Sequence, residues 1–164
     1  MIYDFETCSH EDEVLRCLAS HASEITGVAG TTAQLVEANY RCLQLVYARG
    51  FDRQFIRYFH RVDRYGGSVC SRSMLKRAPF IVEDVMLDTD CSPHWRVFEA
   101  ANVRTVLSMP LITSGGAFYG IVSTLDAQRH VPIPSDVKEL QRAAKLAANR
   151  IARIRSSRAK RSPA

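Results

Sequence analysis

Three consecutive stretches decide the fold: Arg104-Thr-Val-Leu-Ser-Met-Pro-Leu-Ile112, then Thr113-Ser-Gly-Gly116, then Ala117-Phe-Tyr-Gly-Ile-Val-Ser-Thr-Leu125. The first and third are rich in β-branched and aromatic residues, the composition of strands. Gly115 and Gly116 between them allow the positive φ angles that a tight hairpin turn requires. Pro110 has no N–H to give to a ladder, so it belongs near a strand end, a bulge or a sheet edge. The centre of the fold is therefore an antiparallel hairpin.

Upstream, residues 31–37 and 41–49 form a second pair of strands, joined by a short turn around Ala38-Asn39 and closed by Gly50. In the second of these strands Leu43, Leu45 and Tyr47 share one face. Between the two hairpins the pattern changes. Residues 52–61 read as a helix with Phe55 and Phe59 at i and i+4, and Gly66-Gly67 breaks it. Residues 68–77 suit a short helix and Phe80-Ile-Val82 a short strand. The segment from Glu83 to Asn102 begins irregularly, through Asp88, Asp90 and Pro93, and ends in a helix over 95–101.

Two longer helices bracket this middle. Ser9 is placed to cap the first, over 9–26, and Glu11, Asp12 and Glu13 suit its positive end. Val14, Leu15, Leu18, Ala22 and Ile25 form one stripe that stops near Gly27. The last helix, over 135–154 with Ser135 as cap, carries Val137, Leu140, Ala144, Ala147, Ile151 and Ile154 in alternating steps of three and four, in line with Ile133 before the cap. So narrow a seam, with small alanines in it, calls for a close helix neighbour.

Composition sets the outer limits. At 164 residues with 46% hydrophobic and 24% charged, the chain is long and apolar enough for a single domain with an ordinary core, without disulfides or metals, and is not of a disordered type. It has no apolar run long enough to span a membrane and no signal-peptide pattern at Met1-Ile-Tyr-Asp-Phe-Glu6. Five cysteines, Cys8, Cys17, Cys42, Cys70 and Cys91, are odd in number and include no C-x-x-C pair. They read as reduced thiols of a cytoplasmic protein with no membrane partner. The net charge of +5 comes from the C-terminus, where Arg150, Arg153, Arg155, Arg158, Lys160 and Arg161 stand without an acidic residue. The plain reading is an arm at 1–8, a domain at 9–154 and a flexible basic tail at 155–164. The tail is solvated, and nucleic acid is a weak alternative partner for it.

The chemistry-bearing patterns are mostly missing. There is no phosphate loop, nucleophile elbow or H-E-x-x-H sequence. Cys91 and His94 sit three apart, but a tetrahedral metal site needs further ligands than these, so no metal is assigned. Cys70 and Cys91, with Arg72 and His94 near them in sequence, are the candidates for thiol chemistry. The plainer alternative is that both are small buried hydrophobes. Phe51, Phe55, Phe59, Trp95, Phe98, Phe118 and Tyr119 suit a cavity wall or an ordinary core. Trp95 beside His94 in a polar loop is the more telling pair. Ser108 and Thr124 place hydroxyls inside apolar strands, for a small ligand or for a local hydrogen bond.

The order of Leu43-Gln-Leu-Val-Tyr-Ala-Arg-Gly-Phe51, Gly67-Ser-Val-Cys-Ser-Arg-Ser-Met74, Phe80-Ile-Val-Glu-Asp-Val85, Asn102-Val-Arg-Thr-Val-Leu-Ser-Met-Pro-Leu111 and Gly120-Ile-Val-Ser-Thr-Leu125 resembles the bacterial GAF family, over roughly Thr31 to Ile154. The resemblance implies an α+β fold with a five- or six-stranded antiparallel sheet. The terminal helices lie on one face, and a pocket roofed by helices and loops lies on the other. It implies a sensory or regulatory domain in signal transduction that binds a small molecule of unknown identity and acts on a partner in trans. Phe55, Phe59, Cys70, Trp95, Ser108 and Thr124 would line the site, with His94 as its polar anchor. The family's helical bundles further imply a homodimer with a seam of Val14, Leu18, Ile25, Val137, Leu140, Ala144, Ala147 and Ile151. Bilin-binding relatives set a cysteine next to a histidine, which Cys91 and His94 do not match. The free methionine sulfoxide reductases share the fold and offer an enzymatic alternative through Cys70 or Cys91, although their cysteine just before the central strand has no close counterpart here. An interaction module with a vestigial pocket is the third reading.

Overall fold

In the computed structural model, which describes residues 2–162, the chain runs α1 (Glu11–Thr26), β1 (Gly30–Val36), β2 (Cys42–Arg49), α2 (Arg53–Tyr58), β3 (Arg61–Asp63), α3 (Val69–Lys76) and β4 (Phe80–Val82). Two 3₁₀ turns, Val85–Leu87 and Thr89–His94, lead into α4 (Trp95–Ala100). β5 (Thr105–Ile112), β6 (Phe118–Asp126) and α5 (Pro134–Arg161) complete it. The strands form one six-stranded antiparallel sheet in the order β3-β2-β1-β6-β5-β4. The two expected hairpins are β1–β2 and β5–β6. They join through β1 and β6, so the first hairpin's leading strand lies beside the last strand of the chain.

The hairpin turn closes as its glycines require, with Gly116 at φ +92° and Thr113 N–H donating to Ala117 O. Gly120 is fixed by proximity. A Cβ built there would come within 1.9 Å of the Gln34 carbonyl oxygen, so only glycine lets β6 pair with β1 at this point. Pro110 sits inside β5, pairing Ile121 of β6. On the other side β4 pairs β5 only through Val106, Leu107 and Ser108. Pro110 thus falls where that ladder has ended, as its missing N–H demands.

Two apolar clusters flank the sheet. Ala33, Leu107, Met109, Leu111 and Val122 face α1 and α5 and bury Val14, Leu15, Leu18, Leu140, Ala144, Ala147 and Ile151. The other face meets α2, α3 and α4 through Val106, Ile121, Leu125, Phe55, Phe59, Val69 and Phe98.

Several sequence expectations are corrected at the helices. The seam residues Val14, Leu18, Leu140, Ala144, Ala147 and Ile151 are fully buried within the single chain, and Ile25 and Val137 pack half-buried against the same cluster. The first six are thus already packed into the core of their own chain. The close neighbour that the alanines called for is α1, together with the chain's own sheet. Ala143 and Ala148 are also fully buried, which widens the seam into the stripe of a helix packed on its own core. The α1 cap falls on His10 rather than Ser9, and the Glu13 carboxylate accepts from the N–H groups of both. α5 begins at Pro134, a residue suited to the first helical position, and not behind a Ser135 cap.

Within the described residues, the expected arm packs on the body and α5 runs on into the expected tail. Tyr3, Phe5 and Cys8 are buried. α5 continues to Arg161. The Arg150 guanidinium donates to the Cys8 carbonyl at 2.7 and 3.1 Å. Arg153 pairs with Glu6, and Arg155 pairs with Glu11. β3, of which only Arg61 falls within the helix expected over 52–61, is a three-residue edge strand on β2. Among the described residues, no helix is long and apolar enough to cross a membrane.

Candidate functional site

The pocket side of the sheet differs from the helix side in its polar content. In the register of β1, β6 and β5, Thr32 pairs with Ser123 and Ser123 pairs with Ser108. Three hydroxyls therefore lie in a row across the middle of the sheet, and those of Ser108 and Ser123 are hydrogen-bonded at 2.7 Å. Two residues along β1 from Thr32, Gln34 is also buried, at 3% exposure.

Short elements roof this floor. α2 contributes Phe55 and Phe59, and α4 contributes Phe98. Ring centroids lie 4.8 Å apart for Phe55–Phe59 and 5.4 Å for Phe59–Phe98. α3 brings Val69 and Cys70 behind its cap, Ser68, which accepts from the Ser71 N–H. Between floor and roof lies a void of about 30 Å³. Thr32, Gln34, Ser68, Cys70, Ser108 and Ser123 line it among apolar neighbours. Among the described residues, no charged side chain lines it.

The roof is wired together from outside the void. The His94 Nε2 lies 2.7 Å from the Gly66 carbonyl and Nδ1 lies 2.8 Å from the Tyr58 hydroxyl. A carbonyl only accepts, so Nε2 donates to Gly66, and the Tyr58 hydroxyl also lies 3.2 Å from the Pro93 carbonyl. Trp95 Nε1 donates to the Val85 carbonyl at 2.6 Å. Arg72 forks onto Asp88 at 2.9 and 3.1 Å, and Asp88 also accepts from the Cys91 N–H at 3.0 Å. Burial of Asp88 works against its charge, but Arg72 and the Cys91 N–H hold its carboxyl below the usual range. Gly67, at φ +78°, brings its backbone against the Asp90 carbonyl, where a Cβ would stand only 2.5 Å away.

Neither central thiol is set up as a nucleophile. Burial pushes the Cys70 thiol up, only partly opposed by hydrogen bonds from Ser68 and Gln34. Burial, reinforced by the Asp88 charge, pushes Cys91 up to about 12 despite Arg72. Both are protonated at neutral pH, whereas reactive cysteines have depressed values. The cavity wall offers neutral hydrogen-bonding side chains and, among the described residues, no charged one.

Of the seven residues expected to line a site, the structure brings four together: Phe55, Phe59, Cys70 and Ser108 share the cavity wall. His94 and Trp95 fasten the roof and are not part of that wall. Thr124 lies on the opposite face of the sheet, beside Thr26, Val28, Leu107 and His130. Phe98, one of the aromatics that suit a wall or a core, does line the cavity, and Thr32, Gln34 and Ser123 join it without having been singled out from sequence. A glutamine between Ala33 and Leu35, within a strand of buried residues, was the available signal.

The arrangement is that of an α+β domain with one face of its sheet roofed. A family model described as the GAF domain matches residues 8–152. The chain belongs to the GAF family, whose members are typically sensory and regulatory domains of bacterial signalling. It is similar in fold to the GAF domain of a phosphoenolpyruvate-protein phosphotransferase from Coxiella burnetii, with a TM-score of 0.78 and 15% identity over 94% of this chain and 89% of that one. A GAF domain/HD domain protein from Geobacter sulfurreducens gives a TM-score of 0.75 and 15% identity over 90% and 95%. The free methionine-R-sulfoxide reductase from Neisseria meningitidis, solved with its substrate, gives 0.73 and 20% over 93% and 84%. At these identities the likeness concerns the fold. No curated protein sequence matches the chain.

Proposed function

We propose that this GAF domain is a cytoplasmic small-molecule sensor whose ligand sits between the β1–β6–β5 floor and the α2–α4 roof. One observation carries the reading: a void with a row of hydroxyls on its floor and aromatic rings in its roof, the combination of apolar enclosure and few oriented polar groups that small-ligand sites share. The five free cysteines support a reducing compartment. Binding, and not thiol catalysis, is the activity proposed, because the Cys70 and Cys91 thiols are held protonated.

Native mass spectrometry of protein purified from its own host tests the reading. The expected result is a bound small mass that is reduced in a Phe98→Ala variant that remains folded. A consistently bare chain would sink the proposal. Thiol-dependent reduction of free methionine sulfoxide that disappears in Cys91→Ser would replace it with the enzymatic alternative.

A further inference from the structure

One polar group of the cavity wall is left unsatisfied by the protein. Gln34 lies on the pocket face of β1, 97% out of solvent by its 3% exposure, and its Oε1 is buried with no hydrogen-bond partner among the described residues. The β1–β2 register shifts between Ala33 and Gln34, an irregularity of the kind that re-aims a side chain beside a site. The glutamine stands near the hydroxyl row of Thr32, Ser123 and Ser108, with the Cys70 thiol within hydrogen-bonding reach of its amide. Native interiors seldom leave such a group unpaired, and one that is unpaired asks for a water, an ion or a ligand.

Charge and size narrow the choice. The lining side chains are neutral, so an anion would enter without a counter-charge, which is strongly unfavourable in a buried site. The void of about 30 Å³ takes a molecule of a few heavy atoms without movement of the roof. A primary amide offers both donors and an acceptor. Its best complement is a molecule with a donor and an acceptor side by side. Half a turn of the Gln34 amide exchanges its oxygen and nitrogen, and such a partner is satisfied in either orientation.

We propose that the pocket selects small uncharged molecules of the carboxamide and urea class, and that Gln34 is the residue that recognises them, through paired amide hydrogen bonds. The proposal rests on the sensor reading given above and assigns that site its ligand chemistry.

Acetamide, acetate and acetone share one heavy-atom skeleton and separate the requirements. Acetate adds charge and removes the donor, and acetone keeps neutrality and the acceptor alone. Amide NMR spectra of the full chain are titrated with each. Saturable shifts around Gln34, Ser108 and Ser123 are expected from acetamide and not from the other two. Gln34→Met, which keeps the length of the side chain without its polar atoms, is expected to weaken acetamide binding at least about tenfold, the factor that one lost hydrogen bond supplies. The comparison of the three probes on the unmutated protein holds even if that variant does not fold. Acetate binding as tightly as acetamide overturns the neutrality requirement, and acetone doing so overturns the donor requirement. If none of the three shifts the pocket while host-purified protein carries another molecule, the ligand class falls and the sensor reading stands. If the chain is also bare, both fall.

Discussion

At the scale of single residues, the clearest electrostatic device is the Asp84–Arg104 pair at the rim of the sheet. The Asp84 side chain is only 2% exposed. It receives the Arg104 guanidinium, with Nε at 2.9 Å, and also accepts from the Met86 N–H at 3.0 Å. Hydrogen bonds from Arg104 hold the Asp84 carboxyl below its ordinary range, against the opposing effect of burial. A carboxylate whose folded pKa is depressed stabilises the fold above its unfolded value, near about 3.9, and that contribution is lost as pH falls through the folded value. Asp84→Asn should therefore lower the urea midpoint most at about pH 7, and the gap from the unmutated protein should narrow steadily as pH falls below the unfolded value of about 3.9. A gap independent of pH would mean that the pair acts through packing alone. Residue by residue, the sequence exposed the site only in part. Ile121, Val122, Ser123, Thr124 and Leu125 are all buried, because both faces of β6 are covered. With no polar alternation to set the phase, Thr124 looked as good a wall residue as Ser123, and only the pairing register separates them.

At the scale of elements, length and periodicity were legible and destination was not. The terminal helices, both hairpins and the short middle helices follow from caps, glycine breaks and alternation. β3 escaped because three residues carry too little pattern. The α5 stripe was visible, but a sequence of steps of three and four does not say whether the surface opposite is another chain or the chain's own sheet. Ordering of the basic end was equally invisible, since Glu6 and Glu11, the partners of Arg153 and Arg155, lie at the far end of the sequence. The packing changes what a substitution in the stripe should do. Leu140 is fully buried among α1, α5 and the sheet, so Leu140→Glu forces an unpaired charge into the core. It should destabilise the fold by about 3 kcal/mol or more, read as a collapse of the urea midpoint. A variant that keeps the midpoint and only changes its sedimentation would instead restore the intermolecular seam.

At the scale of the whole molecule, the sheet divides the protein into halves of unequal construction. One half packs two long helices, sixteen and twenty-eight residues, against an apolar face with fully buried side chains. The other is assembled from α2 and α4 at six residues each, α3 at eight, and two 3₁₀ turns, held by the His94, Trp95 and Arg72 hydrogen bonds around a void. Short helices have little stability of their own and depend on tertiary contacts, and regions that open at low free energy are the ones binding draws on. The roof is therefore the part of this domain that a ligand can reorder, with β1, β5 and β6 as the fixed reference. Amide hydrogen exchange should show the segments 53–58, 69–76 and 89–100 exchanging faster than β5, β6 and the middle of α5. A pocket ligand should slow the roof selectively, since a molecule that binds only the closed arrangement stabilises it by mass action. If bound and free protein differ equally in both halves, the roof is not the moving part, and any signal leaves the pocket through the sheet instead.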